Sequence, residues 1–250
     1  MDSRLWFSNN NEIFVYTNSE LGEILISGTS SMEKSFDFFS PITDWAFSYL
    51  KNNTKPLHIH IALAHWNTFS HHAIYGIVST INSSDHKERV RISWHYNHDD
   101  DDVLEGGEDF SDIVKFPFVL VEHKNEEIFT AKRAEHSPLV YFDNTGDFII
   151  QGNSTIDSPL DFYIKPLMWL NAHLHKTTLK EVSIEIHLES IADSNIPFIQ
   201  ALIQTADCLN KDGSIVIIQW SYSNPEVEMI GEKCLENISS HYFFRKIASK

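Results

Sequence analysis

Leu57, Ile59, Ile61 and Leu63 alternate with His58, His60, Ala62 and Ala64. A period of two predicts a strand with one covered face and one face turned to water or to a partner. Val182, Ile184, Ile186 and Leu188 alternate in the same way with Ser183, Glu185, His187 and Glu189. Beyond each strand the period changes. Ile74, Ile77, Val78 and Ile81 fall at i, i+3, i+4 and i+7, and Ile199, Leu202, Ile203 and Ala206 repeat the stripe 125 residues later. Each stripe predicts an amphipathic helix burying one side. Arg91–Tyr96 and Val216–Tyr222 read as the next strands, so Leu57–Tyr96 should form a right-handed crossover between parallel strands.

The shared offset extends to other landmarks. At 124 to 126 residues, Gly22 and Gly28 fall on Gly146 and Gly152, Pro41 on Pro166, Trp94 and Tyr96 on Trp220 and Tyr222, and Gly107 on Gly231. Each copy should open with a hairpin, turning near Ser19–Gly22 and near Asn144–Gly146. The first helix of the leading copy carries Phe38, Ile42, Trp45 and Tyr49. A last strand is expected from Val114 to Val121, with Tyr242–Ile247 as its shortened equivalent. The fold class is therefore α/β (α+β): two tandem domains, each a mixed β-sheet with helices packed mainly on one face. The expected limits are 1–124 for the first domain and 138–250 for the second. Residues 125–137 carry Glu126, Glu127, Lys132, Arg133 and Glu135, with Ile128 and Phe129 as apolar exceptions, and read as a linker that could hold a helical turn.

Charge narrows the function. The 250 residues carry 35 acidic and 19 basic side chains, a formal net charge of −16. No Lys/Arg cluster is longer than Lys132-Arg133, so neither nucleic acid nor an anionic membrane is an expected partner. The acidity suits solubility or a basic patch on a protein. Two cysteines, Cys208 and Cys234, make no framework of disulfides and fit a reducing, cytoplasmic setting. Met1-Asp2-Ser3-Arg4 lacks the apolar stretch of a signal peptide. No run approaches the ~18 apolar residues of a membrane span.

Three groups of residues could carry chemistry. Trp66-Asn67-Thr68-Phe69-Ser70 lies between a strand end and a helix start, where ligands gather in open α/β sheets. Thr68 reads either as the helix N-cap or as a phosphorylation site at the electropositive helix end. Asp193 aligns with it in Ser190-Ile191-Ala192-Asp193-Ser194, where Asp193 or Ser194 could cap the helix. Asp99, Asp100, Asp101 and Asp102 could meet a cation, a basic partner or a helix dipole, but they lack the spacing of an EF-hand. His58, His60, His65, His71, His72, His95 and His98 include two on one strand face. Zinc would need three or four converging ligands, and an exposed polar sheet face is the simpler reading. No nucleophile elbow, phosphate-binding loop or dinucleotide fingerprint is present, so no residue is nominated as catalytic and no metal or cofactor is expected.

At these residues the chain resembles the SiaC family of bacterial regulatory phosphoproteins. The likeness lies in Phe38-Phe39-Ser40-Pro41 with Trp45, in Trp66-Asn67-Thr68, in Trp94-His95-Tyr96 and in Leu104-Glu105-Gly106-Gly107-Glu108-Asp109-Phe110. The trailing copy is similar at Phe142-Asp143-Asn144-Thr145-Gly146. It departs at the Asn-Thr site and at Gly231-Glu232-Lys233-Cys234. The resemblance implies STAS-like domains, akin to anti-anti-sigma proteins, and a cytoplasmic protein that is not an enzyme. It implies phosphorylation of Thr68 by a dedicated Ser/Thr kinase, reversal by a PP2C-type phosphatase, and binding of the unphosphorylated form to a diguanylate cyclase, hence a role in c-di-GMP regulation. Asn67, Thr68, Phe69, Ser70 and Asp99 to Asp102 would form the partner surface. Asp193 would be the phosphosite equivalent of the second copy. Two rivals remain: a constitutive scaffold without phosphorylation, and a metal- or small-molecule-binding enzyme that uses the histidines and the acidic run.

Overall fold

The computed structural model describes residues 4–8, 12–30, 35–124, 126–174, 179–211 and 213–248. The chain divides into two compact units, Met1–Asn125 and Glu126–Lys250. The first unit runs β1 (Arg4–Phe7), β2 (Ile13–Asn18), β3 (Glu23–Ser30), α1 (Ser35–Asn52), β4 (Leu57–Trp66), α2 (Thr68–Asn82), β5 (Val90–Asn97), α3 (Asp101–Ile113) and β6 (Phe118–His123). The second runs β7 (Ile128–Ala131), β8 (Leu139–Asp143), β9 (Asp147–Ser154), α4 (Pro159–Leu174), β10 (Glu181–Ile191), α5 (Ile196–Lys211), β11 (Ile215–Tyr222), α6 (Pro225–Cys234) and β12 (His241–Lys246).

Each unit is one mixed six-stranded sheet, ordered β1-β2-β3-β4-β5-β6 in the first and β12-β11-β10-β9-β8-β7 in the second. In both, an antiparallel start passes into four parallel strands. The opening hairpins need a left-handed turn residue: Gly22 has φ 71° and Gly146 φ 103°. A Cβ at Gly22 would lie 2.2 Å from the carbonyl oxygen of Pro56, so a side chain is excluded by space as well.

The predicted alternation sets the core. Ile59, Ile61 and Leu63 of β4 meet Ile92 and Trp94 of β5 on the covered face. Phe39, Ile42 and Tyr49 of α1 and Ile74, Ile77, Val78 and Ile81 of α2 pack over them. Each such side chain contributes about 1.5–3 kcal/mol by leaving water. In the second unit the buried partners are Val182, Ile184, Ile186 and Leu188 with Ile199, Leu202 and Ile203.

The expected linker is not one. Residues 128–131 form β7, which pairs antiparallel with β8 from Ile128↔Asp143 to Ala131↔Val140. Its apolar Ile128 and Phe129 mark a strand instead of a helical turn. β1 is its counterpart and pairs Arg4↔Thr17 through Phe7↔Phe14. The last strand of the first unit begins at Phe118, four residues later than Val114, because Val114 serves as the C-cap of α3.

Candidate functional site

β4 ends at Trp66 after a register shift against β3, with Gly28 opposite Leu63 but Thr29 opposite His65. The extra residue re-aims the strand end. Asn67 follows with extended backbone (φ −108°, ψ 175°) and caps α2. Its Oδ1 accepts the N–H of Ser70 at 3.0 Å and the Ser70 hydroxyl at 3.1 Å, and its carbonyl accepts the N–H of His71 at 2.9 Å. This corrects the expectation that Thr68 is the cap. Asn67 has both the required extended backbone and the acceptor at the right reach. Thr68 is instead the first helical residue, and it is exposed. Phe69 is 55% exposed, whereas Ser70 is fully buried, so the expectation that Ser70 touches a partner fails. The first turn of α2 contains no acidic residue, so no side chain of that turn offsets the helix dipole.

Beneath this turn lies an aromatic bed. Trp66 meets Trp94 at 5.1 Å and Phe110 at 5.8 Å between ring centroids, and His71 meets Trp66 at 5.2 Å and Phe110 at 5.0 Å. The Trp94 indole N–H donates to the Val103 carbonyl at 2.8 Å. α3 can approach this closely because of its two glycines. A Cβ on Gly106 would stand 2.1 Å from the Trp66 ring, and one on Gly107 2.5 Å from Trp94. In the sequence Gly107 stands out as a repeat landmark and Gly106-Gly107 as part of the family likeness, without a packing role. The signal missed was their spacing from Val103, which puts both on the face of α3 toward the sheet.

The acidic run divides. Asp100 turns inward as the N-cap of α3, accepting the Val103 N–H at 3.1 Å, while Asp101 and Asp102 occupy the first turn. Asp99, Asp101 and Asp102 are exposed. The run thus complements a helix dipole. Because β4 and β5 are parallel neighbours, α2 and α3 both start at the C-terminal edge of the sheet, and Thr68 shares that edge with the acidic run.

Of the histidines, four form a ladder with Arg91. Arg91 Nη2 lies 2.7 Å from His58 Nδ1, His58 Nδ1 3.0 Å from His60 Nε2, His60 Nδ1 3.1 Å from His95 Nε2, and His95 Nδ1 2.8 Å from His123 Nε2. Arg91 can only donate, so His58 Nδ1 accepts; each later ring then donates from Nε2, and His60 and His95 accept at Nδ1. The nitrogens meet in pairs, and among the described residues no three metal-binding groups converge. The face is not simply exposed, as expected: His60 and His95 are each 5% exposed. Desolvation first, then Arg91 beside His58 and the adjoining rings beside His60 and His95, depress His58 to about 4, His60 to about 2 and His95 to about 3. His98 departs from the group. It bonds Glu122 at 2.8 Å, and that bond raises its pKa.

The second unit differs at the turn into its second helix and on its polar sheet face. α5 starts at Ile196, and Asp193 lies exposed in the turn before it, where the Asn195 N–H donates to the Ala192 carbonyl at 2.8 Å. Neither Asp193 nor Ser194 adjoins the helix. That place belongs to the buried Asn195, whose carbonyl accepts the Ile199 N–H at 3.3 Å. The equivalent of the histidine face carries Glu185, His187, Gln219, Ser221 and Arg245 around a cavity of about 300 Å³.

Fold and site define a tandem α/β protein whose copies share a frame and differ at the strand-to-helix turn. The chain belongs to the SiaC family of regulatory phosphoproteins, whose family model matches residues 8–123 and again 131–246. An uncharacterized protein of Pseudomonas aeruginosa strain UCBPP-PA14 is 29% identical over 105 residues, which is 42% of this chain and 83% of that protein. Among solved structures, SiaC of Pseudomonas aeruginosa is 25% identical, covering 49% of this chain and 100% of its own, with a TM-score of 0.45. SiaC in complex with the diguanylate cyclase SiaD, which it activates, covers 48% of this chain and 99% of its own at 25% identity and a TM-score of 0.45. No helix among the described residues is long and apolar enough to cross a membrane.

Proposed function

We propose that the chain is a non-enzymatic regulator whose first copy binds a protein partner under control of Thr68 phosphorylation. The observation that carries this reading is an exposed hydroxyl at the first position of α2, beside the outward ring of Phe69 and with no acid in the first helical turn. A phosphate there adds about −1.5 to −2 charges at an electropositive helix end and beside an apolar contact surface. Repulsion from a fitted partner and the cost of desolvating the phosphate both lower affinity. Membership of a family of regulatory phosphoproteins supports the assignment. The partner class is a diguanylate cyclase; a dedicated Ser/Thr kinase adds the phosphate and a PP2C-type phosphatase removes it. The partner surface comprises Asn67, Thr68 and Phe69, with Asp99, Asp101 and Asp102 on the same sheet edge. The second copy has a carboxylate, Asp193, where the first has the Thr68 hydroxyl.

The test pairs labelling with binding. The cognate kinase is expected to label the wild-type chain and to leave Thr68→Ala unlabelled, while Thr68→Ala still binds the cyclase. Thr68→Glu is expected to bind at least about tenfold more weakly, a change of about 1.4 kcal/mol. Equal labelling of wild type and Thr68→Ala would remove Thr68 from the switch.

A further inference from the structure

We propose that the outer edge of β12 pairs antiparallel with the same strand of a second copy of this chain. The inference is independent of the Thr68 switch. β12 is the terminal strand of its sheet, with no neighbouring strand on its outer side among the described residues. It pairs parallel with β11 in unbroken register, from Ile217↔His241 to Tyr222↔Lys246. Beyond it, the Ile247 N–H donates to the Tyr222 carbonyl at 2.9 Å. Backbone groups alternate along a strand, so Phe243 and Arg245 turn theirs toward β11. Tyr242, Phe244 and Lys246 turn theirs outward.

Edge strands are usually blunted by charged side chains, proline, a bulge, an inward charge or extreme shortness, and of these β12 has only Arg245 and Lys246 at one end. β12 has no proline and no bulge, and five of its six residues are exposed. Tyr242 and Phe243 are each 48% exposed. Two of the other three sheet edges are shorter. β1 and β7 are four residues long, and β6 carries the exposed Glu122. β12 is also basic, with His241, Arg245 and Lys246 and no acid, in a chain of net charge −16.

The strand complements itself. Opposing residues in an antiparallel pair share a face, so a symmetric register places a residue opposite its own copy. With Phe244 at the centre, Tyr242 opposes Lys246 of the second copy and Phe243 opposes Arg245. Each cation then faces a ring, and neither faces another cation. In this register all three outward residues are hydrogen-bonding ones, and each pair exchanges both bonds. A two-fold contact of this kind closes at the dimer. Two chains of charge −16 repel at long range, so added salt should strengthen the dimer.

Sedimentation of the full chain from micromolar to millimolar concentration tests this, at low and high salt. The wild type is expected to dimerise, more tightly at high salt. Tyr242→Pro removes an outward N–H without touching the ladder to β11, and is expected to weaken the dimer at least about tenfold. Arg245→Glu/Lys246→Glu leaves the backbone intact and should do the same, which covers a failure of the proline variant to fold. Hydrogen exchange supplies the pattern: Tyr242, Phe244 and Lys246 amides slow down on dimerisation, while Phe243 and Arg245 are slow in both states. A wild type that stays monomeric throughout, a dimer indifferent to both variants, or a dimer without the alternating protection would overturn the proposal. A monomer whose β12 amides slow only with an acidic peptide would reassign the edge to a foreign strand.

Discussion

At one point the two copies solve the same packing problem with opposite volumes. Trp66 stands opposite Ser30 at the end of β4, and Ile191 stands opposite Ser154 at the end of β10. The helix lying over that place is fixed by the same bond in both, from the Trp94 indole to Val103 and from the Trp220 indole to Val227. Three residues on, the first copy has Gly106 and the second Ile230. A ring against a bare backbone in the first copy corresponds to two branched side chains at the matching positions of the second. Only the ring-bearing copy also seats His71 on that bed, and with it the turn that presents Thr68. The turn that presents Thr68 is thus tied to a volume choice that the second copy does not share.

The largest expected effect comes from forcing one copy's choice on the other. Gly106→Ile alone drives a side chain into the Trp66 ring, where even a Cβ would lie at 2.1 Å, and should cost about 3 kcal/mol or more. Trp66→Ile alone leaves a cavity worth about 2–4 kcal/mol. Together they recreate the second copy's pairing, and the double variant should recover about 1–3 kcal/mol relative to the sum. Urea unfolding of the three variants measures this. Simple additivity would mean that the two positions do not exchange volume.

The caps offer the next contrast. Asn195 is fully buried. It accepts from the Ser154 hydroxyl at 3.1 Å and the Ile156 N–H at 3.2 Å, and donates to the Ile156 carbonyl at 2.9 Å. Asn195→Ala strands those buried groups and should cost about 3 kcal/mol. Asn67 is half-buried and closes a single turn, so Asn67→Ala should cost about 1 kcal/mol. Equal losses in unfolding free energy would show that the two caps are interchangeable.

Acid should strike the first copy first. His60 and His95 titrate far below the ordinary 6.5, so the unfolded chain binds more protons than the folded one as pH falls below 6.5. Their stabilisation is complete above that pH and is lost below it, by up to about 1.4 kcal/mol per pH unit for each ring. The contribution of the more exposed His58 is smaller after solvent screening. Unfolding midpoints from pH 7 to 5 should fall more steeply for the wild type than for His60→Gln/His95→Gln. Parallel slopes would mean that the ladder is not held neutral.

Much of this frame was legible in the residues, and the reasons for the misses are physical. The stripes Ile74–Ile81 and Ile199–Ala206 are long enough for their period to declare a helix, and β4 and β10 alternate over whole strands. β1 and β7 are four residues each, too short for a period, and they exist because a hairpin edge was available to pair with. The cap at Asn67 was obscured by two adjacent capping residue types, Asn and Thr, and only backbone geometry separates them. The histidine ladder crosses three strands, so its members are far apart in sequence, and its burial depends on tertiary packing that no local pattern records.

The smallest effect is also the sharpest test of where a partner sits. Gly76 lies in the middle of α2, beside the 48% exposed Tyr75, and a Cβ there would meet nothing within 4 Å. Its counterpart in the second copy is Ala201. Glycine inside a helix costs about 0.5–1 kcal/mol relative to alanine, so Gly76→Ala should raise the melting temperature by about 2–4 °C. The first copy forgoes that gain on the same helix that presents Thr68 and Phe69. If the partner's backbone packs against this face, the added methyl should stabilise the free chain yet weaken cyclase binding. Calorimetry and binding titration on one preparation separate the outcomes: a stabilised variant that binds as well as the wild type would move the partner off the middle of α2 and confine it to the helix start.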